Sequence, residues 1–527
     1  MLGLLWMCHA VAFVTDWPQY RGPTTDGISP DPISTNWPAN GPTVVWRNMS
    51  LTNGFSSFAV SQGRAFTLIS RTIGGQLREV CVAVDAATGT NIWASPVGTA
   101  PGDPPDSVGN GGDGTSPYNT GDGPRSTPAV TDTNVIVLSG HMVLASLNVT
   151  NGSTNWMKDL KTLYGASEVG SGWNNAASPR LDNGLIFVNL NTSTNNQTLY
   201  AFRTTDGSWA WRSQNENLTH TTPVVATILG TQQVLFATVT GIVSLDRNTG
   251  AKLWKYTYPW GSISTSMGAS PVVYSNIFFC TAAYNKGSAA VRINFTNGTW
   301  YATNQLWKQT YPDTTYQSIW MTPVAYQGYL YGQFANGSYL TGPLNCLELA
   351  SGSLMWSTPD FGKGGTILVN RYILSLTEDG QLVLVNPDPN AYVELARFQA
   401  FQFSETNHGK CWNSPAYSNG RIYARSTRGG ICVDVSAAAA APLKLLSPQF
   451  LNSTQLQLVV STANGTPIDS NRLPKIEVRA TNTPGASAST WPKLTNQLVL
   501  ATNGLARLTN TINPGQSRQF YRAAEQP

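Results

Sequence analysis

A ten-residue pattern occurs five times in this chain and constrains its fold more than any other feature. It first reads VDAATGTNIW, ending at Trp93, and its variants end at Trp156, Trp211, Trp254 and Trp356. Each copy has Gly four residues before the Trp, as a tight turn with positive φ requires. We therefore expect a repeated unit of strands and turns whose Trp packs against the next unit.

Six short apolar segments open with Ser, Thr or Asn-Ser followed by Pro, and they run in phase with the first pattern. Their prolines are Pro128, Pro179, Pro223, Pro271, Pro323 and Pro415. Successive prolines lie 44 to 52 residues apart, except for a last step of 92 that spans two units. A period of about 45 residues with several short strands is typical of propeller blades. Unmarked segments near Phe58 and Ile367 bring the count to eight, and a degenerate seventh unit leaves seven as the alternative.

The predicted fold is all-β: an eight-bladed (alternatively seven-bladed) β-propeller followed by a small β-sandwich. The early strand TVVWR, ending at Arg47, is expected to pair with the last unit and close the ring. We assign residues 15–436 to the propeller, 437–442 to a linker and 443–527 to a sandwich of immunoglobulin or fibronectin type. Residues 1–14 are apolar and too short to span a bilayer. They predict a secretory signal peptide, with a buried first strand as the alternative.

Charge and cysteine content argue against several classes of protein. Charged residues make up 11% of the 527 residues and the net charge is +4, which does not predict a nucleic-acid surface. No segment after residue 14 has the length and apolarity of a membrane span, so we expect a secreted, periplasmic or cell-envelope protein. Cys411 and Cys432 are either a disulfide pair or, like the other cysteines after residue 14, small core residues.

Further segments resemble a known family. DWPQYRGPTTDGIS from Asp16, GPRSTPAV from Gly123 and CWNSPAYSNGRIYAR from Cys411 are similar to parts of secreted bacterial β-propellers built from the pyrroloquinoline quinone (PQQ) repeat. In that family the recurring Trp is the tryptophan-docking residue. The resemblance covers residues 16–436 and implies the fold of the quinoprotein alcohol dehydrogenase-like superfamily.

The resemblance leaves two hypotheses for function, because this superfamily holds both dehydrogenases and non-catalytic scaffolds. We favour a non-catalytic propeller that binds a protein, glycan or small-molecule ligand across its loop face. The alternative is an oxidoreductase that uses PQQ and calcium to oxidise an alcohol or sugar, with Asp103, Asp106 or Asp113 of a long loop near its site. The sequence has no adjacent cysteine pair and no C-x-x-C-H haem motif, which weighs against the alternative.

Binding residues are expected just before the Ser/Thr-Pro segments, where the loops entering the innermost strands gather on one face. The candidates are Arg125, Trp173, Asn174, His220, Trp320, Lys363 and Trp412. Cationic groups beside indole rings would suit a flat anionic ligand, and the competing hypothesis is that these side chains only fill the ring. The four histidines lie in no metal-binding motif, so we predict neither a metal site nor a catalytic residue.

Overall fold

The computed structural model divides after Ser436 into two compact units. It describes residues 15–99, 123–168, 174–192, 197–263, 267–313, 315–334, 342–402, 409–437, 441–468, 472–483, 490–515 and 519–525. Its helical segments are α1 (Leu160–Tyr164) and a 3-10 turn (Leu473–Lys475); the other regular elements of the described chain are β-strands. None of the described helices has the length and apolarity needed to cross a membrane.

The described residues of the first unit form eight β-sheets, seven of four strands and one of five. Two early strands, β1 (Ile28–Ser29) and β2 (Thr43–Asn48), join sheets formed much later in the chain. Sheets 1 to 4 then follow in order: β3 (Ala59–Ser61), β4 (Arg64–Ile73), β5 (Gln76–Asp85) and β6 (Asn91–Thr99); β7 (Ala129–Val130), β8 (Asn134–Leu138), β9 (Val143–Asn148) and β10 (Thr154–Asp159); β11 (Arg180–Asp182), β12 (Leu185–Asn189), β13 (Leu199–Arg203) and β14 (Trp209–Ser213); β15 (Val224–Ile228), β16 (Thr231–Ala237), β17 (Gly241–Asp246) and β18 (Lys252–Thr257).

Sheets 5 to 8 continue the same plan of consecutive antiparallel strands. They comprise β19 (Val272–Tyr274), β20 (Ile277–Ala282), β21 (Gly287–Thr296) and β22 (Thr299–Thr310); β23 (Val324–Tyr326), β24 (Tyr329–Gln333), β25 (Leu344–Glu348) and β26 (Leu354–Thr358); β27 (Gly365–Val369), β28 (Tyr372–Leu376), β29 (Gln381–Asn386) and β30 (Val393–Gln399); β31 (Ala416–Ser418), β32 (Arg421–Ser426) and β33 (Gly429–Asp434). Strand β1 pairs in parallel with β27, and β2 completes the last sheet beside β33. The result is an all-β unit of four-stranded sheets, one of them extended to five strands by β1, consistent with a β-propeller.

The Asp-x-x-Thr-Gly turn is held by its own first residue. The Asp85 carboxylate accepts hydrogen bonds from the Ala87 and Thr88 amides at 2.9 and 2.8 Å, and Gly89 donates to the Asp85 carbonyl. Gly89 has φ +72°, a conformation that costs residues with a Cβ. The repeated sequence is therefore a local turn motif that joins the third and fourth strands of a sheet.

Five of the indoles pack onto the turn glycine of the next sheet. These pairs are Trp46 on Gly89, Trp93 on Gly152, Trp156 on Gly207, Trp211 on Gly250 and Trp307 on Gly352. Each indole nitrogen also donates to a backbone carbonyl just before that glycine, as Trp93 does to Val149 at 3.2 Å. A Cβ at Gly152 would lie 2.6 Å from the Trp93 ring, so a tight turn and close packing both require glycine there.

Two of the recurring tryptophans pack differently. Trp254 stacks on Phe278 of the next sheet at 5.3 Å, and its nitrogen donates to Gln233 of its own sheet at 2.8 Å. Trp356 donates to the Asp388 carbonyl at 2.7 Å in the degenerate seventh unit. The contacts between neighbouring sheets are thus preserved where the glycine turn is not.

The Ser and Thr residues of the Ser/Thr-Pro segments, together with Ser57 of the first sheet, link neighbouring sheets where the innermost strands begin. In four pairs the backbone N–H of one residue donates to the side-chain hydroxyl of the corresponding residue in the next sheet, at 2.9 to 3.0 Å. With the donor first, these pairs are Ser57 and Thr127, Thr127 and Ser178, Ser178 and Thr222, and Ser270 and Thr322. In the seventh sheet, a Cβ on Gly365 would meet the backbone of Ser414 in the eighth. We call this series of residues the belt.

The first unit has an apolar interior between successive sheets, and its cysteines belong to it. Cys81, Cys280, Cys346, Cys411 and Cys432 are buried and free. The disulfide between Cys411 and Cys432 that the sequence allowed is therefore wrong, and the core alternative holds. Burial raises the pKa of the Cys346 thiol to about 11, so the thiol is favoured over the thiolate.

The second unit has its own strands and its own core. A five-stranded sheet comprises β34 (Leu443–Leu445), β35 (Gln449–Phe450), β36 (Gln455–Thr462), β38 (Val499–Leu500) and β39 (Ala506–Thr511), and a two-stranded sheet pairs β37 (Ile476–Thr481) with β40 (Phe520–Glu525). Leu458, Val460, Val478 and Leu508 from both sheets are buried in one cluster. This is the arrangement that alternating apolar residues favour.

Candidate functional site

The candidate residues occupy equivalent places in different sheets. Five of them lie two residues before a belt position: Arg125, His220, Trp320, Lys363 and Trp412. Phe55, which is not among the candidates predicted from sequence, has the same place before Ser57. We call these six the rim residues. Sheets 3 and 5 have the small residues Ala176 and Gly268 there.

Aromatic rings from three sheets meet at the rim. The Trp412 ring stacks on Phe55 with centroids 5.2 Å apart and planes 14° apart. Trp320 approaches the same indole from sheet 6, with centroids 4.8 Å apart. Such offset contacts between rings stabilise a cluster beyond the area they bury. The two tryptophans remain partly exposed, whereas Phe55 is buried.

Three cationic side chains surround these rings. The Lys363 and Lys410 ammonium nitrogens lie 5.1 and 4.8 Å from the Trp412 ring centroid. The Arg125 guanidinium lies 5.7 Å from the centroid of Phe55. All three distances are within the range of cation–π attraction. Arg125 is partly exposed, and Lys363 and Lys410 are buried.

A buried carboxylate, Glu378, orders this cluster. It accepts hydrogen bonds from the Trp412 indole nitrogen at 2.6 Å and from the Lys363 amide at 3.1 Å, and it lies 3.6 Å from the Lys363 ammonium. The Lys363 carbonyl in turn accepts a bond from the Trp320 nitrogen at 3.1 Å. Burial lowers the pKa of Lys363, and the Glu378 charge opposes that effect. Glu378 therefore fixes two tryptophans and a lysine through one network.

Further polar groups lie near Arg125. Burial lowers the pKa of His220 to about 3, and the Arg125 charge adds to that effect. The His220 Nδ1 atom is buried and accepts no hydrogen bond from the described residues. Burial also raises the pKa of Glu79 to about 7, although its carboxylate accepts a bond from the Gly140 amide at 3.0 Å. Neutral forms of His220 and Glu79 are thus favoured by the fold.

The structure unites some of the candidates and separates one. Arg125, Trp320, Lys363 and Trp412 share the aromatic and cationic cluster, which we call the rim cluster. Asn174 instead donates to Glu168 at 2.9 Å, beside His141. Trp173 and the three loop aspartates, Asp103, Asp106 and Asp113, lie outside the described residues.

Four residues in or near the candidate site were missed from the sequence: Phe55, Glu79, Glu378 and Lys410. Phe55 had a usable signal, because it stands two residues before a belt serine in a unit without proline. Lys410 lies two residues before Trp412, so a wider search of the same loop would have found it. The two glutamates gave no signal, since their burial and their partners depend on other sheets.

A quinoprotein would hold calcium and a quinone, and the rim residues would have to bind both. Calcium binds six to eight oxygen ligands in proteins. Within the part of the chain that the structure describes, no three His, Cys, Asp or Glu side chains come together in a metal-binding group. Trp412, the central indole, already contacts Phe55 and Trp320. The described residues therefore do not fit calcium and a stacked quinone, and we derive no chemistry through them.

Comparisons with known proteins agree with this fold. A quinohemoprotein alcohol dehydrogenase from Comamonas testosteroni aligns with a TM-score of 0.54 and 14% identity, over 87% of this chain and 84% of that one. Another from Pseudomonas putida HK5 gives 0.53 and 12%, over 83% of each chain. At these identities the similarity establishes the fold alone.

Sequence comparison gives the family. The outer membrane protein assembly factor BamB of Moranella endobia (strain PCIT) is 25% identical over 263 residues, which are 49% of this chain. The alignment spans 63% of that relative, less than two thirds of its length. The model of the family described as outer membrane protein assembly factor BamB matches residues 77–358, more than half of the 527 residues. The chain belongs to that family of PQQ-like repeat proteins.

Proposed function

We propose that the protein is a non-catalytic scaffold whose loop face binds a partner protein. In this proposal the eight sheets are the blades of one closed propeller, and β2 is the strand that closes it. Support comes from the pairing of β2 with β33, which joins the beginning and end of the first unit in one sheet. Residues 443–527 would form a separate sandwich module.

The observation that carries the proposal is the rim cluster. Arg125, Trp320 and Trp412 are partly exposed side chains at the same end of the belt. Arginine and tryptophan are the residue types enriched at protein interfaces, where a few of them supply most of the binding energy. The Glu378 network holds the two indoles in place, so little side-chain entropy would be lost on binding.

The chemistry of the rim suggests the kind of partner surface. The Arg125 guanidinium beside an aromatic ring suits a carboxylate, which a guanidinium can bind through two hydrogen bonds. We therefore infer a partner that presents acidic side chains around an apolar patch. The related assembly factor is named for outer membrane proteins, which supports a cell-envelope location for this chain in the proposal. Its partner would take part in assembling proteins there.

Site-specific photo-crosslinking tests this proposal. A photoreactive amino acid replaces Trp320 at the rim, and in a matched control it replaces Tyr301, which is 44% exposed on strand β22. In envelope extracts we expect one defined protein to be crosslinked at position 320 and not at 301. Adding Arg125→Glu should reduce that crosslink at least tenfold, because like charges would then face each other.

The same experiment can refute the loop face as the binding site. Equal crosslinking from both positions, or a yield at position 320 that Arg125→Glu leaves unchanged, would contradict it. Circular dichroism and thermal melting of each variant confirm that the fold is intact. A purified crosslinked partner then allows its affinity to be measured directly.

A further inference from the structure

Residues 15–34, which we call the axial segment, bind the inner edges of several sheets. Trp17 exchanges two backbone hydrogen bonds with Val60 at 2.7 and 2.8 Å, and the Pro18 carbonyl accepts one from Val130. Gln19 uses its side-chain amide to bond both the N–H and the carbonyl of Leu181. Further along, the Gly27 carbonyl accepts the Leu368 amide at 2.8 Å, where β1 runs beside β27.

The bonded residues of these inner strands share one position. Each hairpin from an inner strand to the second strand is closed by one pair of residues, as Val369 pairs with Tyr372. The bonded residue stands just before the first member of that pair, and in this strand it is Leu368. Backbone groups alternate between the two edges of a strand. The residue before the hairpin therefore presents its N–H and C=O groups away from its own sheet and toward the axial segment.

Val273 and Ala325 hold this position in sheets 5 and 6. They precede Tyr274 and Tyr326, which close their hairpins with Ile277 and Tyr329. Within the described ranges no residue bonds their outward backbone groups. An open groove of about 390 Å³ lies over both, lined by Asp26, Ile28, Val272–Ser275 and Ala325–Gln327.

The groove lies beside β1, which already pairs with the inner strand β27 of sheet 7. Ile28 of β1 lines the groove together with Val272 and Ala325, each of which is 7% exposed. Tyr274 is 38% exposed at its border. Unpaired strand edges readily pair with another chain, with backbone bonds supplying affinity and side-chain pockets supplying specificity.

We propose that this groove binds an extended peptide of a partner protein by strand addition to Val273 and Ala325. The peptide would alternate, placing apolar side chains against Ile28 and Tyr274 and polar ones toward solvent. The site lies at the hairpin end of the inner strands, opposite the rim cluster. It therefore goes beyond the proposed function and adds a second contact to it.

A proline substitution tests the proposal with little cost to the fold. Ala325→Pro removes the outward N–H without removing a bond of the β23–β24 ladder, and proline is tolerated on such edges. Thr227→Pro is the matched control, because Thr227 has the same place before the Ile228 hairpin but does not line the groove. Thermal melting of both variants verifies folding.

The probe is a fluorescein-labelled seven-residue peptide of alternating valine and threonine, titrated into the full chain and followed by anisotropy. We expect saturable binding that Ala325→Pro weakens about tenfold, the loss for one hydrogen bond left unmade. Thr227→Pro should bind like the wild type, and a backbone N-methylated peptide should not bind. Hydrogen exchange should show new protection at Val273 and Ala325, and none at Thr227.

Two results would overturn the inference: equal peptide affinity for Ala325→Pro and the wild type, or no saturable binding up to about 1 mM. The rim variant Arg125→Glu separates this site from the loop face. If that variant loses its crosslinked partner while Ala325→Pro changes nothing, the proposed function stands and the groove is rejected. If both lose it, the two faces bind the same partner.

Discussion

The packing of Trp93 on Gly152 predicts a stability difference between two glycine-to-alanine variants. Gly152 has φ +73°, and a Cβ there would lie 2.6 Å from the Trp93 ring. Gly63 has φ +71° and no atom within 4 Å of the same added Cβ. Both variants place alanine in the left-handed region, but only Gly152→Ala also forces two sheets apart.

The expected magnitudes follow from these two effects. Alanine in the left-handed region costs about 1–2 kcal/mol, which is the whole effect predicted for Gly63→Ala. Overpacking adds about 1–3 kcal/mol, so Gly152→Ala should lose about 2–5 kcal/mol of the free energy of unfolding. Urea unfolding at 25 °C, followed by tryptophan fluorescence and circular dichroism, measures the difference.

A double-mutant cycle identifies the indole as the cause. Trp93→Leu leaves space at the turn, so adding Gly152→Ala to that variant should cost only about as much as Gly63→Ala. Equal losses for Gly152→Ala and Gly63→Ala in the otherwise unchanged protein would refute the docking argument. So would a Gly152→Ala cost that Trp93→Leu does not reduce.

Five other predictions follow, and four of them concern buried groups. Because burial raises the pKa of Glu79 from 4.5 to about 7, its stabilising contribution is complete below pH 4.5 and is lost as the pH rises to 7. Urea unfolding at pH 4.5 and 7.5 should show Glu79→Gln removing about 3 kcal/mol of that dependence. Burial lowers the pKa of His220 from 6.5 to about 3, so the stability that its neutral form contributes is lost as the pH falls from 6.5 to 3. His220→Gln should remove this loss of stability in urea unfolding. Arg21 donates to the Thr322, Thr366, Pro323 and Asp26 carbonyls, so Arg21→Met should cost about 3 kcal/mol or more in urea and Arg21→Lys should recover only part. The five buried cysteines should react with a thiol reagent only after denaturant is added. Finally, PQQ with calcium should leave the melting temperature unchanged, and a rise equivalent to about 2.7 kcal/mol would instead support a bound cofactor.

The fold was accessible from sequence because its repeats are local. The Asp-x-x-Thr-Gly turn is held by bonds within five residues, so it has the same pattern wherever it occurs. The Ser/Thr-Pro segments recur because each belt hydroxyl meets the same backbone group in the neighbouring sheet. Such local and periodic constraints predicted the all-β fold and the end of the sheets at which Arg125 and Trp412 lie.

The contents of the rim cluster and the groove depended on tertiary structure. Phe55 and Trp412 are 357 positions apart in the sequence, and only the arrangement of sheets 1 and 8 stacks their rings. In the sequence Glu378 looks like an ordinary turn residue. In the structure it is buried and accepts hydrogen bonds from Trp412 and Lys363. The unpaired edge at Ala325 arises because the axial segment bonds other sheets. The sequence by itself thus determined the repeated unit, since turns and belt contacts are local or periodic. Only the tertiary structure decided which side chains meet, because those contacts join distant parts of the chain without any period.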